Sequence, residues 1–367
     1  MRSAVAGLAV SMLCSCAAAQ IVIGQTTGIT GVSAANVKET LDGQRLWIDA
    51  INAKGGINGQ KIEVVTLDDQ GDTRLAQANA RRLIEERHVL ALFMVRGTPQ
   101  NEAILPLLEK HGVPLVAPSS GAMTLRKPTR PYVFNVRSSY QDEAEKAIHQ
   151  LASMGVSRIA VLKTRDSFGD DAMQGAERGF HRIAVKPLLV GAFDKAKPEF
   201  AGIARQVADG DAQAVLVIGA GASVAQFVEV FRATGSKAYV VTLSNNASSG
   251  FVTALGANAH GVIVTQVFPS ERSSAIPMIK EAMDLLRRKG LGELSPAMVE
   301  GFAGARVLVE GLKRAGSRPT RASLRQALED MSSFDLGGLV IRYSPIDHTG
   351  LQYTDLSVID SRGGFRR

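Results

Sequence analysis

Small hydroxyl residues and glycine recur where an apolar run gives way to a helix: Thr98 after LFMVRG, Ser119-Ser120-Gly121 after PLVAP, and Ser244-Asn245 after VVTL. Hydroxyl donors beside the free N–H groups of a helix start make a receptor for an anionic group, one that holds a solute without reacting with it. Taken singly, the same residues also serve as ordinary helix caps, and both roles stay open.

Catalytic constellations are not assembled. Ser119-Ser120-Gly121 lacks the Gly-x-Ser-x-Gly frame of a nucleophile elbow and has no assignable base. The histidines, His88, His111, His149, His181, His260 and His348, show no metal-ligand spacing. Gly219-Ala220-Gly221 opens like a dinucleotide fingerprint, but Val224 stands where the third glycine belongs, and no acid follows the next strand, AYVVTL, to hold a ribose. Asp68-Asp69 could be a catalytic pair; as the end of a strand before a helix starting near Asp72 they also read as caps. No enzyme activity, cofactor or metal is expected.

These loops need a scaffold, and the chain supplies one by alternation. Short β-branched runs (IVIGQT, QKIEVVTL, VLALFMV, VPLVAP) alternate with amphipathic segments over 35–52, 72–87 and 99–111. Continuous apolar strands between helices mean a parallel sheet covered on both faces. In DAINAKGGINGQKIEVVTLDD (49–69), Gly55-Gly56 ends the first helix and Asn58-Gly59 turns the chain into the next strand. A second set of similar size begins near Ser138: helices over 141–154, 169–182, 198–209, 223–234 and 249–255 alternate with RIAVLKT, VKPLLVGAF, AVLVIGA, AYVVTL and GVIVTQVF. The last part is heavy in helix, with Ser295-Pro296 starting one, and closes with strands in GGLVIRYS and GLQYTDLSVID.

With 367 residues, the chain exceeds the roughly 250–300 at which single cores stop growing, so two lobes are expected. Hydrophobic residues at 45% and charged residues at 21% exclude a disordered chain or a membrane bundle. The net charge of +7 is scattered rather than blocked, which argues against nucleic acid as a partner. Residues 1–19 read as an export signal, with Arg2, an apolar run to Leu13 and small residues at Ala17-Ala18-Ala19. An alternative is a lipid anchor at Cys16. Cut after Ala19, the chain has no cysteine, which removes thiol catalysis and disulfides.

On these residues the chain resembles the type I periplasmic solute-binding proteins of ATP-driven importers, in particular the leucine/isoleucine/valine-binding branch. The string 49–69 carries most of the likeness; Thr30-Gly31, VPLVAPSSGA, YVFNVRSSYQDEA and Asp166-Ser167-Phe168-Gly169 add to it. The resemblance implies two doubly wound parallel-sheet α/β lobes joined by a three-segment hinge, with lobe one over 20–137 and 267–330 and lobe two over 138–266 and 331–367. It implies a small-molecule ligand, permease and ATPase subunits as membrane partners, a periplasmic location and a monomer. Ligand contacts are implied at Thr98 through its hydroxyl, at Ser119 through its backbone, and at Gly121, with Phe168 in an aromatic wall.

Departures from the branch are specific. Gly121 replaces a threonine, Gly221 a tyrosine, Asn36 an aromatic residue, and Ser244, with Asn245 beside it, the glutamate that holds an α-ammonium. A desolvated ammonium without a partner costs several kcal/mol, roughly, so an aliphatic amino acid is a poor ligand and a small carboxylate or a neutral polar or aromatic solute a better one. A ligand sensor feeding a signalling partner is the alternative role on the same scaffold.

Overall fold

The joint between the first helix and the second strand shows why the opening motif is written as it is. Gly55, Gly56, Asn58 and Gly59 all take positive φ, from 50° to 95°, and a side chain at Gly56 would collide with the Gln60 carbonyl. In the computed structural model, which describes residues 20–367, this joint links the first two units of a strand-helix series. The expected export signal, its cleavage point and the Cys16 anchor lie outside the described residues.

The first lobe alternates β1 (Gln20–Thr27), α1 (Ala34–Ala53), β2 (Lys61–Asp68), α2 (Thr73–Glu85), β3 (Ala91–Phe93), α3 (Thr98–His111), β4 (Leu115–Val116) and β5 (Val133–Phe134). Its five strands are all parallel, in the order β2-β1-β3-β4-β5. The second lobe follows with α4 (Tyr140–Ser153), β6 (Ile159–Thr164), α5 (Ser167–Arg182), β7 (Leu189–Phe193), α6 (Ala201–Asp209), β8 (Ala214–Ile218), α7 (Gly221–Ala233), β9 (Tyr239–Thr242), α8 (Ser249–Leu255) and β10 (Ile263–Gln266). Its parallel strands repeat the same order, β7-β6-β8-β9-β10. The chain then returns to the first lobe as α9 (Pro277–Arg288), α10 (Pro296–Arg314), α11 (Arg321–Glu329) and the small antiparallel pair β11 (Phe334–Asp335) and β12 (Val340–Ile341). Finally β13 (Asp355–Ile359) and β14 (Phe365–Arg366) add antiparallel strands to the β10 edge of the second sheet. The two doubly wound α/β lobes expected from the sequence are present.

One boundary moves. The segment expected to re-enter lobe two at 331 stays with lobe one: Met331, Leu336, Ile341, Tyr343 and Leu351 are buried in the first core. Hydrogen bonds hold it there, from Met278 N to the Gly337 carbonyl and from the Tyr343 hydroxyl to the Asn135 carbonyl at 2.6 Å. The strand expected through GGLVIRYS shrinks to two residues, because Asp335 accepts from the N–H groups of Gly337 and Gly338 and folds the chain into a hairpin. The third crossing therefore lies between Leu351 and Asp355, beside the first, where Leu351 N donates to the Val136 carbonyl at 2.9 Å.

Backbone-to-backbone approach fixes the helix pairs. A Cβ at Gly43 of α1 would run into the Met298 carbonyl of α10, and one at Gly301 of α10 into the Thr40 carbonyl of α1. In lobe two, Gly175 of α5 sits in the same way on the Gln141 carbonyl of α4. A helical glycine replaced by alanine usually gains about 1 kcal/mol of propensity. Overpacking against backbone costs about 1–3 kcal/mol or more, because carbonyls cannot rotate away as side chains do. Gly43→Ala is therefore expected to lower the urea midpoint, whereas Gly202→Ala on α6, with open space around it, is expected to raise stability by about 0.5–1 kcal/mol.

His348, 1% exposed in side chain, stacks on Phe134 at 4.2 Å and faces the Arg130 and Val133 carbonyls through Nδ1. Glu329 lies 3.8 Å from Nε2 and is itself paired with Arg325 at 2.8 Å. Burial lowers the imidazole from its ordinary value of 6.5, outweighing the carbonyls and Glu329. A histidine depressed in the folded state contributes stability that is complete above 6.5 and is lost progressively as pH falls from that value down through its lowered folded one. Denaturant titrations between pH 8 and pH 5 are expected to show stability falling toward acid, with a shallower slope in His348→Gln.

Candidate functional site

Open parallel sheets bind ligands beyond the carboxyl ends of their strands, where the strand order switches direction. In the first lobe that point lies between β1 and β3, and in the second between β6 and β8. The loops leaving these four strands converge on one cavity of about 320 Å³ between the lobes: Gly28–Ser33 and Arg96–Gln100 from one side, Thr164–Phe168 and Ala220–Ser223 from the other. Asp69–Asp72, Ser119, Tyr140, Lys195, Ala196 and Asn245 complete the wall. Two switch points facing each other make a receptor whose halves come from different lobes.

Arg96 and Lys195 are the two cations of the cavity wall. Arg96 extends the β3 strand by a bridge to Ser119, and its guanidinium turns between the lobes. Nη1 donates to Asn36 Oδ1 at 2.6 Å in the first lobe, and Nη2 donates to the Asn245 carbonyl at 3.0 Å in the second. Both acceptors are neutral. Among the described residues no carboxylate oxygen lies within 4.0 Å of it. Burial lowers the guanidinium from its usual value, while Tyr140 and Glu300 act in the opposite direction. A guanidinium has five N–H donors, so further donors remain for a ligand.

The carboxylates of the wall are engaged elsewhere. Asp69 accepts from the Thr26 hydroxyl and from Gly71 N, both at 2.9 Å, and its burial pushes its carboxyl up from the usual range. Asp72 caps α2 through Arg74 N and Leu75 N, and these N–H groups hold its carboxyl below the usual range. Asp166 caps α5, accepts from the Thr164 hydroxyl at 2.7 Å and faces Lys195 at 3.4 Å. Tyr140 and Phe168 form an aromatic corner with centroids 4.7 Å apart.

Of the residues singled out in the sequence, Thr98, Ser119, Phe168 and Asn245 lie on this wall. Thr98 Oγ1 shares a hydrogen bond with Ser120 Oγ at 3.0 Å, and the Ser119 hydroxyl donates to Glu300 at 2.9 Å. Asn245 donates to the Gly219 carbonyl at 3.0 Å. The other five lie off the wall, each for a visible reason. Ser120 is buried behind Thr98. Gly121 leaves no space for a side chain, since a Cβ would lie 2.5 Å from Tyr140 N and 2.8 Å from its ring. Gly221 is a contact between lobes: its Cβ would collide with the Val32 carbonyl, and the next residue, Ala222, donates to that carbonyl at 3.0 Å. Asn36 holds Arg96 from behind.

Ser244 belongs to the hinge. Its hydroxyl accepts from Arg137 at 2.6 Å and its N–H donates to Glu143 at 2.9 Å. Arg137, on the first crossing, is 1% exposed; it pairs with Glu143 of α4 and lies 3.8 Å from Glu300 of α10. Burial alone would lower this guanidinium, but Tyr140, Glu300 and Glu143 outweigh it and raise it above its usual value. Sequence reasoning missed Arg96, Tyr140 and Asp69 as wall residues. The available signal for Arg96 was a lone cation at the carboxyl end of an otherwise apolar strand.

The comparisons agree with this architecture. A family model described as "Periplasmic binding protein" matches residues 20–364. A substrate-binding periplasmic protein from Ralstonia solanacearum is 30% identical, with a TM-score of 0.86 over 95% of this chain and 99% of that one. An extracellular ligand-binding receptor from Verminephrobacter eiseniae is 26% identical, also at a TM-score of 0.86, over 95% and 100%. The Leu/Ile/Val-binding protein homolog 3 of Brucella melitensis is 22% identical over 94% of this chain and 92% of its own length. Two lobes of one strand order, a cavity between their switch points and a match along the described chain place this protein in the periplasmic binding protein family, whose members bind solutes rather than transform them.

Proposed function

We propose that the protein is the periplasmic receptor of an ATP-driven importer and that it captures a small carboxylate lacking an α-ammonium group. Support for the ligand class comes from one observation: a guanidinium in the cavity wall with only neutral partners. A desolvated cation gains most from an anion that brings its own charge, and a carboxylate matches the guanidinium fork in shape. Among the described residues of the wall, each carboxylate, Asp69, Asp72 and Asp166, already accepts from protein donors. Ser244 faces the hinge. Tyr140 and Phe168 offer apolar surface to the body of the solute. A cavity of about 320 Å³ stands near the lower end of small-molecule sites, roughly 300–1,000 Å³.

The mechanism is closure. Loops of the first lobe supply Arg96 and Thr98, loops of the second supply Phe168 and Asn245, and a solute touching both sets favours the closed arrangement over the open one. Delivery to a permease and ATPase is the role the family resemblance supplies, and the leader read in residues 1–19 supports export.

A thermal-unfolding panel tests the ligand class. Benzoate is expected to raise the midpoint more than benzamide, phenylalanine or leucine at equal concentration; a larger shift with leucine overturns the reading. Charge-assisted hydrogen bonds contribute roughly 1.5–3 kcal/mol. Arg96→Met is accordingly expected to weaken benzoate about 10- to 100-fold by calorimetry while leaving benzamide unchanged.

A further inference from the structure

Asn36 is 4% exposed, stands in the first turn of α1 and lies outside the cavity wall, yet it makes the shortest hydrogen bond to Arg96. A guanidinium only donates, so the amide must present its oxygen, and the orientation of the side chain follows without ambiguity. The chemistry of that acceptor matters more than its presence. An aspartate at the same place would aim Arg96 equally well and would also neutralise it, leaving little positive charge for a solute. An amide aims it and leaves the charge intact. The second anchor, the Asn245 carbonyl, is neutral too and comes from the opposite lobe, so the guanidinium takes its full set of partners only when the lobes are together.

We propose that Asn36 is a positioning and specificity-determining residue: it fixes the direction of Arg96 without compensating its charge, and thereby sets the preference of the cavity for anionic over neutral solutes. The inference rests on Arg96 as the anion receptor and adds a residue that acts through it without touching the solute. The acidic groups that act most strongly on Arg96 are the Tyr140 phenol, Glu300 and Asp69, and neither carboxylate lies within ion-pair distance of it. Ser119 donates to Glu300, and Thr26 and Gly71 donate to Asp69, so the acids nearest in field are held by other donors.

Acetate and acetamide separate this claim from the fit of any particular solute, since they carry the carboxylate or its neutral isostere on almost no body. Affinities from concentration-dependent thermal unfolding are compared for the wild type, Asn36→Asp, Asn36→Ala, Arg96→Met and the Asn36→Asp/Arg96→Met double variant. The wild type is expected to favour acetate over acetamide by at least about tenfold. Asn36→Asp is expected to lose that preference while keeping or raising the unliganded midpoint, and Asn36→Ala to weaken acetate severalfold with acetamide unchanged. In the Arg96→Met background the aspartate is expected to add no further loss. A purely structural Asn36 would instead lower the unliganded midpoint and leave the acetate-to-acetamide ratio alone. Should Asn36→Asp not fold, the ratio in Asn36→Ala decides the same question. Wild-type preference preserved in the Asn36 variants overturns the inference and leaves Arg96 as receptor; a wild type indifferent between acetate and acetamide overturns both.

Discussion

Arg96 carries a full charge into the space between two lobes, and no described side chain answers it with one of its own. Water is the alternative partner, and closing the lobes removes it. A buried cation without a counter-charge costs several kcal/mol, roughly, so a closed cavity around Arg96 is favourable when the guest supplies the negative charge. The surrounding structure makes sense as a means of presenting that guanidinium: β3 delivers it at the switch point of the first sheet, Asn36 aims it, and the Asn245 carbonyl meets it from the other lobe.

Arg137 shows the opposite treatment of the same side chain. It lies in the crossing between lobes, is fully enclosed, and is surrounded by Glu143, Glu300, the Ser244 hydroxyl and the face of Tyr140 at 4.6 Å. Glu143, Glu300 and Tyr140 outweigh its burial, and with Ser244 they tie the first crossing to elements of both lobes. The two arginines divide the work: a paired one holds the pivot, an unpaired one waits in the cavity. Glu143 and Glu300 face Arg137 at the pivot rather than the cavity.

The fold was largely legible because each unit writes its own signals: apolar strands, glycine-marked helix ends and the joint at 54–60. The second lobe repeated them. What escaped were elements held by tertiary contact alone. The two residues of β5 carry no periodicity, and GGLVIRYS (337–344) reads as a strand until Asp335 bends the chain and the first core takes in 331–351. The site was legible as a set of loops and not as a set of side chains. Thr98, Ser119, Phe168 and Asn245 lie on the wall because strand ends dictate where such loops meet. Gly221 and Ser244 could not be placed by spacing, since whether they face the cavity, the other lobe or the hinge depends on side-chain direction. For Arg96, the sequence shows only a cation at the tail of a strand, a position that on its own fits a solvent-facing residue equally well.

Ligand chemistry is the decisive point, and it is open to direct reading. Protein purified under non-denaturing conditions, desalted and then denatured, releases whatever its closed form has retained, and mass spectrometry identifies it. The expected guest is a small organic acid without a primary amine, present near one per chain. Leucine, another α-amino acid or an uncharged sugar in that position would contradict the assignment of Arg96 as the receptor of the solute's charge.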